Sequence, residues 1–232
     1  MGARNSYLSL RGVVVGSRAF GESGRFIDIL THEYGRISVV GRGARASKKR
    51  FVGALDLFIT LDIEVRTKKT PWTLESASIH NPRLGIRDNL EAFKRAQMIC
   101  DIARSCAHEN MPITDFYASV ERALDLLAAH RCVEAVEEYP QILKNIGIFP
   151  DLTSCKRCGG AAAGALREHG QTVQPVCLGC HSEASSVEAF GVFTGQSCFT
   201  ERAANRIEHF VLDCLEEYLG RGLKTRRICA AL

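Results

Sequence analysis

Residues 155–180 read CKRCGGAAAGALREHGQTVQPVCLGC, two C-x2-C pairs separated by eighteen residues. Thiolates are soft ligands, and the x2 spacing lets two of them turn back onto one ion. Two such hooks close a tetrahedral four-sulfur shell. The spacing therefore predicts Cys155, Cys158, Cys177 and Cys180 as metal ligands, with structural Zn2+ as the cofactor. Four sulfurs leave no position for a reacting water, whereas a catalytic zinc usually keeps three protein ligands and one open site. The rival readings are four spare thiols or a redox pair. A redox C-x-x-C should follow a strand in a βαβ unit, and this context lacks one. His169 and His181 lie near enough in sequence to replace a ligand and read more simply as exposed bystanders.

A second stretch with chemistry is Val39 to Phe51, VVGRGARASKKRF, in which five of thirteen residues are Arg or Lys and none is acidic. Phosphates attract such charge without regard to base, and counterions are released on binding. Arg42, Arg45, Lys48, Lys49 and Arg50 would line a loop between strands, with Arg36, Arg66, Lys68 and Lys69 extending the patch; Arg25 is a further candidate. Tyr34, Phe51 and Trp72 are candidate base stackers, although an aromatic in a small barrel more often fills the core.

Other chemistries find less support. Gly41-Arg42-Gly43-Ala44-Arg45-Ala46 fits G-x-G-x-x-A, but the dinucleotide reading needs a helix next, and Lys48-Lys49-Arg50 followed by a strand stands there instead. The chain contains no G-x4-G-K-[ST], no H-E-x-x-H and no G-x-S-x-G. His32-Glu33 is an isolated pair. No enzyme is predicted. A metal-dependent enzyme and a protein-interaction scaffold are the alternatives to a nucleic-acid binder.

The charge that would serve such a binder is unevenly spread. Residues 1–70 hold 13 Lys/Arg against 6 Asp/Glu, residues 71–152 hold 8 against 12, and residues 153–232 hold 9 against 8. A basic N-terminal module with a polyanionic partner is the reading, set against a merely solvated basic face. No apolar run is long enough to span a bilayer, so no membrane is expected. The start MGARNSYLSLRGVVVG lacks a signal-peptide h-region, and its fit to the short myristoylation pattern is loose. The other six of the ten cysteines lie mostly on apolar stripes, which suits reduced thiols in a cytoplasmic protein.

The elements that must position these residues change character near residues 80–88. Leu57 to Arg66 alternates apolar and polar, the mark of a half-buried strand. Leu8–Ser17, Arg25–Thr31, Arg36–Gly43 and Trp72–Ile79 are further strands, separated by turn signals. Five strands in this span predict a small closed barrel of OB-fold type. Beyond Pro82 the period becomes helical. Asp88 is the expected cap of a helix burying Phe93, Ala96, Ile99 and Ala103. A second helix opens at Pro112 and Thr114, and a third, near 133–146, should be kinked or broken by Pro140. Ala203, Ile207, Phe210, Val211, Cys214 and Tyr218 form a last stripe. The fold class is α+β: an OB-fold β-barrel over 1–80, then an α-helical domain over 81–232 with a four-cysteine zinc finger inserted at 155–180.

Three blocks then resemble the RecO family of bacterial DNA repair and recombination mediators. They are GESGRFIDILTHEYGRISVVGRGARASKKRF with LFITLDIEV after it, ILKNIGIFPDLTSCKRCGG, and YLGRGLKTRRI. The resemblance implies an N-terminal OB-fold and a helical domain carrying a zinc finger. It implies binding of single- and double-stranded DNA, annealing of complementary strands, and no bond-making chemistry. The implied partners are RecR and the C-terminal acidic tail of single-stranded DNA-binding protein, acting together to load RecA in the bacterial cytoplasm. Lys224, Arg226 and Arg227 are candidates for gripping that tail. Pro140 departs from the continuous helix the family carries before its hooks, and the hooks are not universal in the family.

Overall fold

In a computed structural model the chain forms two compact units, Met1–His130 and Arg131–Leu232. The structure describes residues 7–44, 51, 53–109, 111–149, 151–162, 165–169, 172–180, 200–223 and 226.

The first unit is built on five strands: β1 (Tyr7–Phe20), β2 (Gly24–Thr31), β3 (Gly35–Gly41), β4 (Thr60–Arg66) and β5 (Trp72–Asn81). They close into a barrel in the order β1-β2-β3-β5-β4. Neighbours are antiparallel except β3 and β5, which run parallel where Val39 and Val40 meet Trp72 and Thr73. This is the OB-fold arrangement. Closure depends on β1 serving two neighbours. Tyr7 to Val13 pairs with β4 and Gly12 to Phe20 pairs with β2, and a bulge between Val14 and Gly16 bends the strand. Period-two alternation sends Leu10, Val14, Ile27, Ile29, Ile37, Val39, Leu61, Ile63, Val65 and Leu74 inward to one core. β4 starts at Thr60 rather than at the expected Leu57. Phe58, with φ 74°, donates its N–H to Val14 O, and Val14 N–H donates to Ile59 O, so the chain reaches β1 from a turn.

Two helices complete this unit: α1 (Leu90–Cys106) and α2 (Thr114–Ala128). The cap of α1 is Asn89, not the expected Asp88; its side chain accepts from Ala92 N–H at 2.9 Å. Ala92, Ala96, Ile99 and Ala103 are buried, while Phe93 stays 37% exposed at the rim, edge-on to Phe58. Arg83 ties barrel to helix. Its guanidinium donates to Phe58 O at 2.9 Å and Thr60 Oγ1 at 2.7 Å, and pairs with Glu121 at 3.2 Å and Asp125 at 2.7 Å. Removing it would take a donor from Phe58 O and Thr60 Oγ1 and the cation from Glu121 and Asp125, which would keep Thr60 and Asn81 as donors.

The second unit holds α3 (Cys132–Ala135), α4 (Glu138–Asn145), the two-stranded β6 (Ala165–His169) and β7 (Thr172–Val176), and α5 (Glu201–Leu219). The break expected from Pro140 falls before it, between α3 and α4. Pro140 then sits in the first turn of α4, where its missing N–H costs nothing. Thr200 caps α5 by accepting from Ala203 N–H at 3.2 Å. Ile207, Phe210, Val211 and Leu215 are buried, and Tyr218, expected on that stripe, is 56% exposed at the helix's last turn. Among the described residues no helix is long and apolar enough to cross a membrane.

Candidate nucleic-acid interface and candidate metal centre

The barrel distributes the basic residues unequally. Arg36 and Arg42 lie at opposite ends of β3, about 20 Å apart at the usual strand rise. Arg36 is committed inside its unit: it pairs with Glu109 at 3.5 Å and its Nε donates to Ala107 O. Arg66 pairs with Glu75 at 2.9 Å, and Arg25 with Asp56 at 3.3 Å. Lys68 and Lys69 are exposed on the turn from β4 to β5 and have no partner among the described residues. Arg42 is exposed just past β3. Arg45, Lys48, Lys49 and Arg50 lie outside the described residues. The structure therefore gathers Arg66, Lys68 and Lys69 on one turn and sets Arg36 and Arg42 apart along the neighbouring strand.

The candidate stackers fare differently from one another. Phe51 is buried in the barrel core. Tyr34 and Trp72 pack edge to face at 5.7 Å and lean on that core, with Trp72 also lining a cavity of about 250 Å³ beside Phe26, Arg36 and Ser38. A different aromatic pair, Phe20 and Phe26, has ring centroids 6.4 Å apart, with Phe26 on the outer side of β2. Sequence reasoning missed it because a phenylalanine at a strand end reads as core. Elsewhere on the barrel a cavity of about 850 Å³ is lined by Glu33, Asp62, Glu64 and Glu121 beside Arg11 and Tyr117. Asp62 is held below the usual carboxylate range by the Arg11 guanidinium that donates to it at 2.7 Å. That concavity is the roomier one, and its carboxylates repel phosphate.

In the second unit, the four cysteines of the two hooks converge. Their sulfur atoms all lie within 4.8 Å of one another, and Cys158 and Cys177 are 3.6 Å apart. A tetrahedral shell with metal–sulfur bonds of about 2.3 Å sets sulfurs about 3.8 Å apart, so the four thiols fit a metal ion such as zinc. The separation is far beyond a disulfide bond, and all four are free thiols. The backbone builds the hooks. Gly159, with φ 73°, donates its N–H to Cys155 O at 2.9 Å, and Cys155 N–H donates to Gly160 O at 2.7 Å. The second hook closes through Cys180 N–H to Cys177 O at 3.2 Å, and Arg157 Nη1 donates to Cys180 O at 3.1 Å. Lys156 N–H donates to Pro175 O at 3.0 Å, joining the first hook to β7.

The thiols are electrostatically unequal. Backbone N–H groups, foremost that of Cys177, lower Cys155 to about 6, and the crowding thiols of Cys158 and Cys177 raise Cys180 to about 12. Four thiolates at these distances repel one another, and a divalent cation removes that conflict. By contrast, burial pushes Cys100 and Cys214 up to about 12, which makes them inert packing thiols. The side chain of His169 and the whole of His181 lie outside what the structure describes. So do Lys224 and Arg227, whereas Arg226 is taken up by Asp213 and Glu216.

Known proteins match over both units. The family model for recombination protein O, N terminal, covers residues 6–83, and the model for recombination protein O, C terminal, covers residues 87–227. A DNA repair protein RecO from Anaeromyxobacter sp. (strain K) is 32% identical over 178 residues, spanning 75% of this chain and 70% of the relative. Another, from Myxococcus xanthus (strain DK1622), is 27% identical over 227 residues, spanning 92% and 93%. Among solved structures, an aspartyl tRNA synthetase from Entamoeba histolytica aligns at a TM-score of 0.21 and 14% identity, over 59% of this chain and 33% of that one, too low to carry an argument.

Proposed function

The chain belongs to the recombination protein O family, and from that premise we propose that it is a non-enzymatic DNA-binding recombination mediator in DNA repair. In this reading the barrel, residues 1–80, is the nucleic-acid-binding domain, and residues 81–232 are the helical domain that docks proteins. Phosphates are held by Arg42, Arg45, Lys48, Lys49 and Arg50, by Lys68 and Lys69, and by Arg36 and Arg66 to the extent that DNA displaces Glu109 and Glu75. Single and double strands both bind, because phosphate contacts carry no base information. Holding two strands on one basic surface lets complementary sequences anneal. With RecR, and by contacting the C-terminal tail of single-stranded DNA-binding protein, the chain helps load RecA in the bacterial cytoplasm.

The observation that carries this reading is the barrel's β4–β5 turn. Lys68 and Lys69 have no carboxylate partner among the described residues, on a turn whose Thr70 and Pro71 line one cavity with Arg36 and Ser38 of β3. Ammonium groups left in solvent by the fold are available to a polyanion. Replacing Arg42, Arg45, Lys48 and Lys49 together by Ala in the full chain should weaken oligonucleotide binding by ~10³-fold near physiological salt. Unchanged affinity in that variant would remove the proposed surface.

The metal in this reading is Zn2+, held by Cys155, Cys158, Cys177 and Cys180. When bound it supplies no reaction step, because the sulfur shell is full; it fixes the two hooks and the β6–β7 pair. The alternative of a metal-dependent enzyme puts the chemistry on the quartet, where four thiolates leave no open coordination position, or on a carboxylate site elsewhere. Elemental analysis separates the two: one zinc per chain with all four cysteines protected from alkylation supports the structural role, and a zinc-bound water contradicts it.

A further inference from the structure

Inward-facing Ile27 and Ile29 place Phe26, Asp28 and Leu30 on the outer side of β2. On that side the register sets Arg18 against Phe26, and Phe20 against Gly24 one step further along. Helix α1 packs on β1 and β2, and Val13 and Leu30 are fully buried. At the other end of the same strands Phe20 is 50% exposed and the Arg18 side chain 65% exposed.

This open end is ordered. The Phe20 and Phe26 centroids lie 6.4 Å apart with planes tilted by 51°, and the Arg18 guanidinium sits 4.0 Å above the Phe26 ring. Asp28, which accepts from Ser38 Oγ at 2.7 Å, lies 3.9 Å from Arg18. Gly24 makes room: a side chain there would stand 2.6 Å from Phe20 O and 3.3 Å from the Phe20 ring. Phe20, half exposed, is open to a further planar group, and the guanidinium stacked on Phe26 adds a second planar face beside it.

We propose that Phe20, Phe26 and Arg18 form a stacking platform for unpaired nucleobases, so that the barrel distinguishes single-stranded from duplex DNA. The inference rests on the DNA-binding reading above and assigns the part of it that phosphate contacts cannot supply. A base free of its partner can lay its π-face on Phe20, while bases inside a duplex are already stacked and out of reach. The cavity that Phe26 shares with Arg36 and Ser38 also takes in Thr70 and Pro71, so the outer side of β2 and β3 runs to the β4–β5 turn.

The test compares a fluorescent oligo-thymidine with a duplex of equal length, titrated against the full chain. Phe20→Ala should weaken oligo-thymidine binding about tenfold, within the range for one stacked base, while duplex affinity and the salt slope stay within about twofold. Phe20→Tyr, which keeps the ring, should retain the affinity. Phe20→Leu, which keeps bulk without a π-face and guards against loss of folding, should behave as Phe20→Ala. The platform is overturned if Phe20→Leu binds oligo-thymidine as the parent does, or loses single-strand and duplex affinity equally. A parent chain that binds neither probe would instead defeat the DNA-binding reading itself.

Discussion

The barrel and the cysteine hooks are held together by different physics. Among the described residues fourteen buried ones make the barrel's core, and Arg83 ties it to α2 through four partners. Among the described residues, the buried cluster at the hooks is Cys155 and Val176, with Cys177 and Cys180 packed against it. In the proposed reading, a metal held by the four sulfurs would contribute folding energy to the hooks directly. In that reading the region with the conspicuous motif is held by its metal and serves structure, while the barrel serves binding. The region proposed to grip DNA is held by its packed core.

The contrast can be broken at either side. Its largest effect should come from the hooks. Cys155→Ser, or chelation of the metal, should abolish the one-metal stoichiometry and remove about 10 kcal/mol of binding energy from that segment. The thermal transition of the first unit should not move. If the whole chain unfolded in one step on chelation, the two regions would not be independent.

Arg83→Ala should act in the opposite direction. It should destabilise the barrel unit by about 3 kcal/mol in urea titrations and leave the metal content unchanged. A loss below about 0.5 kcal/mol would mean that the Arg83 network is incidental to the barrel's stability. The smallest effect sharpens the functional half of the comparison. Lys68→Ala with Lys69→Ala should lower the slope of log affinity against log salt by about 2, with no change in thermal stability, because each lysine is counted as one released counterion. An unaltered slope would place the phosphate elsewhere.

Much of this arrangement was legible in the chain. The alternation in Leu61, Ile63 and Val65 and the C-x2-C spacing are local patterns, and each corresponds to one physical demand, a two-sided strand or a tetrahedral ion. What was not legible depends on partners distant in sequence. Arg36 and Arg66 looked like free cations until Glu109 and Glu75 stood beside them. Arg83 gave no signal, since its four partners are spread from Phe58 to Asp125. Phe20 and Phe51 are the same residue type at similar local hydrophobicity, and the tertiary fold opened one to solvent and buried the other. The break attributed to Pro140 was real but misplaced, because a proline's missing N–H is harmless in a first turn.

One measurement tests the central claim most directly. The full chain is titrated with a labelled single-stranded oligonucleotide across a salt series, with its metal in place and again after the metal has been removed. The account predicts a steep fall of affinity with salt in both cases, with the two slopes equal and the affinities within about threefold, from phosphate neutralisation by the barrel alone. A salt-independent affinity, or binding that disappears with the metal, would contradict it.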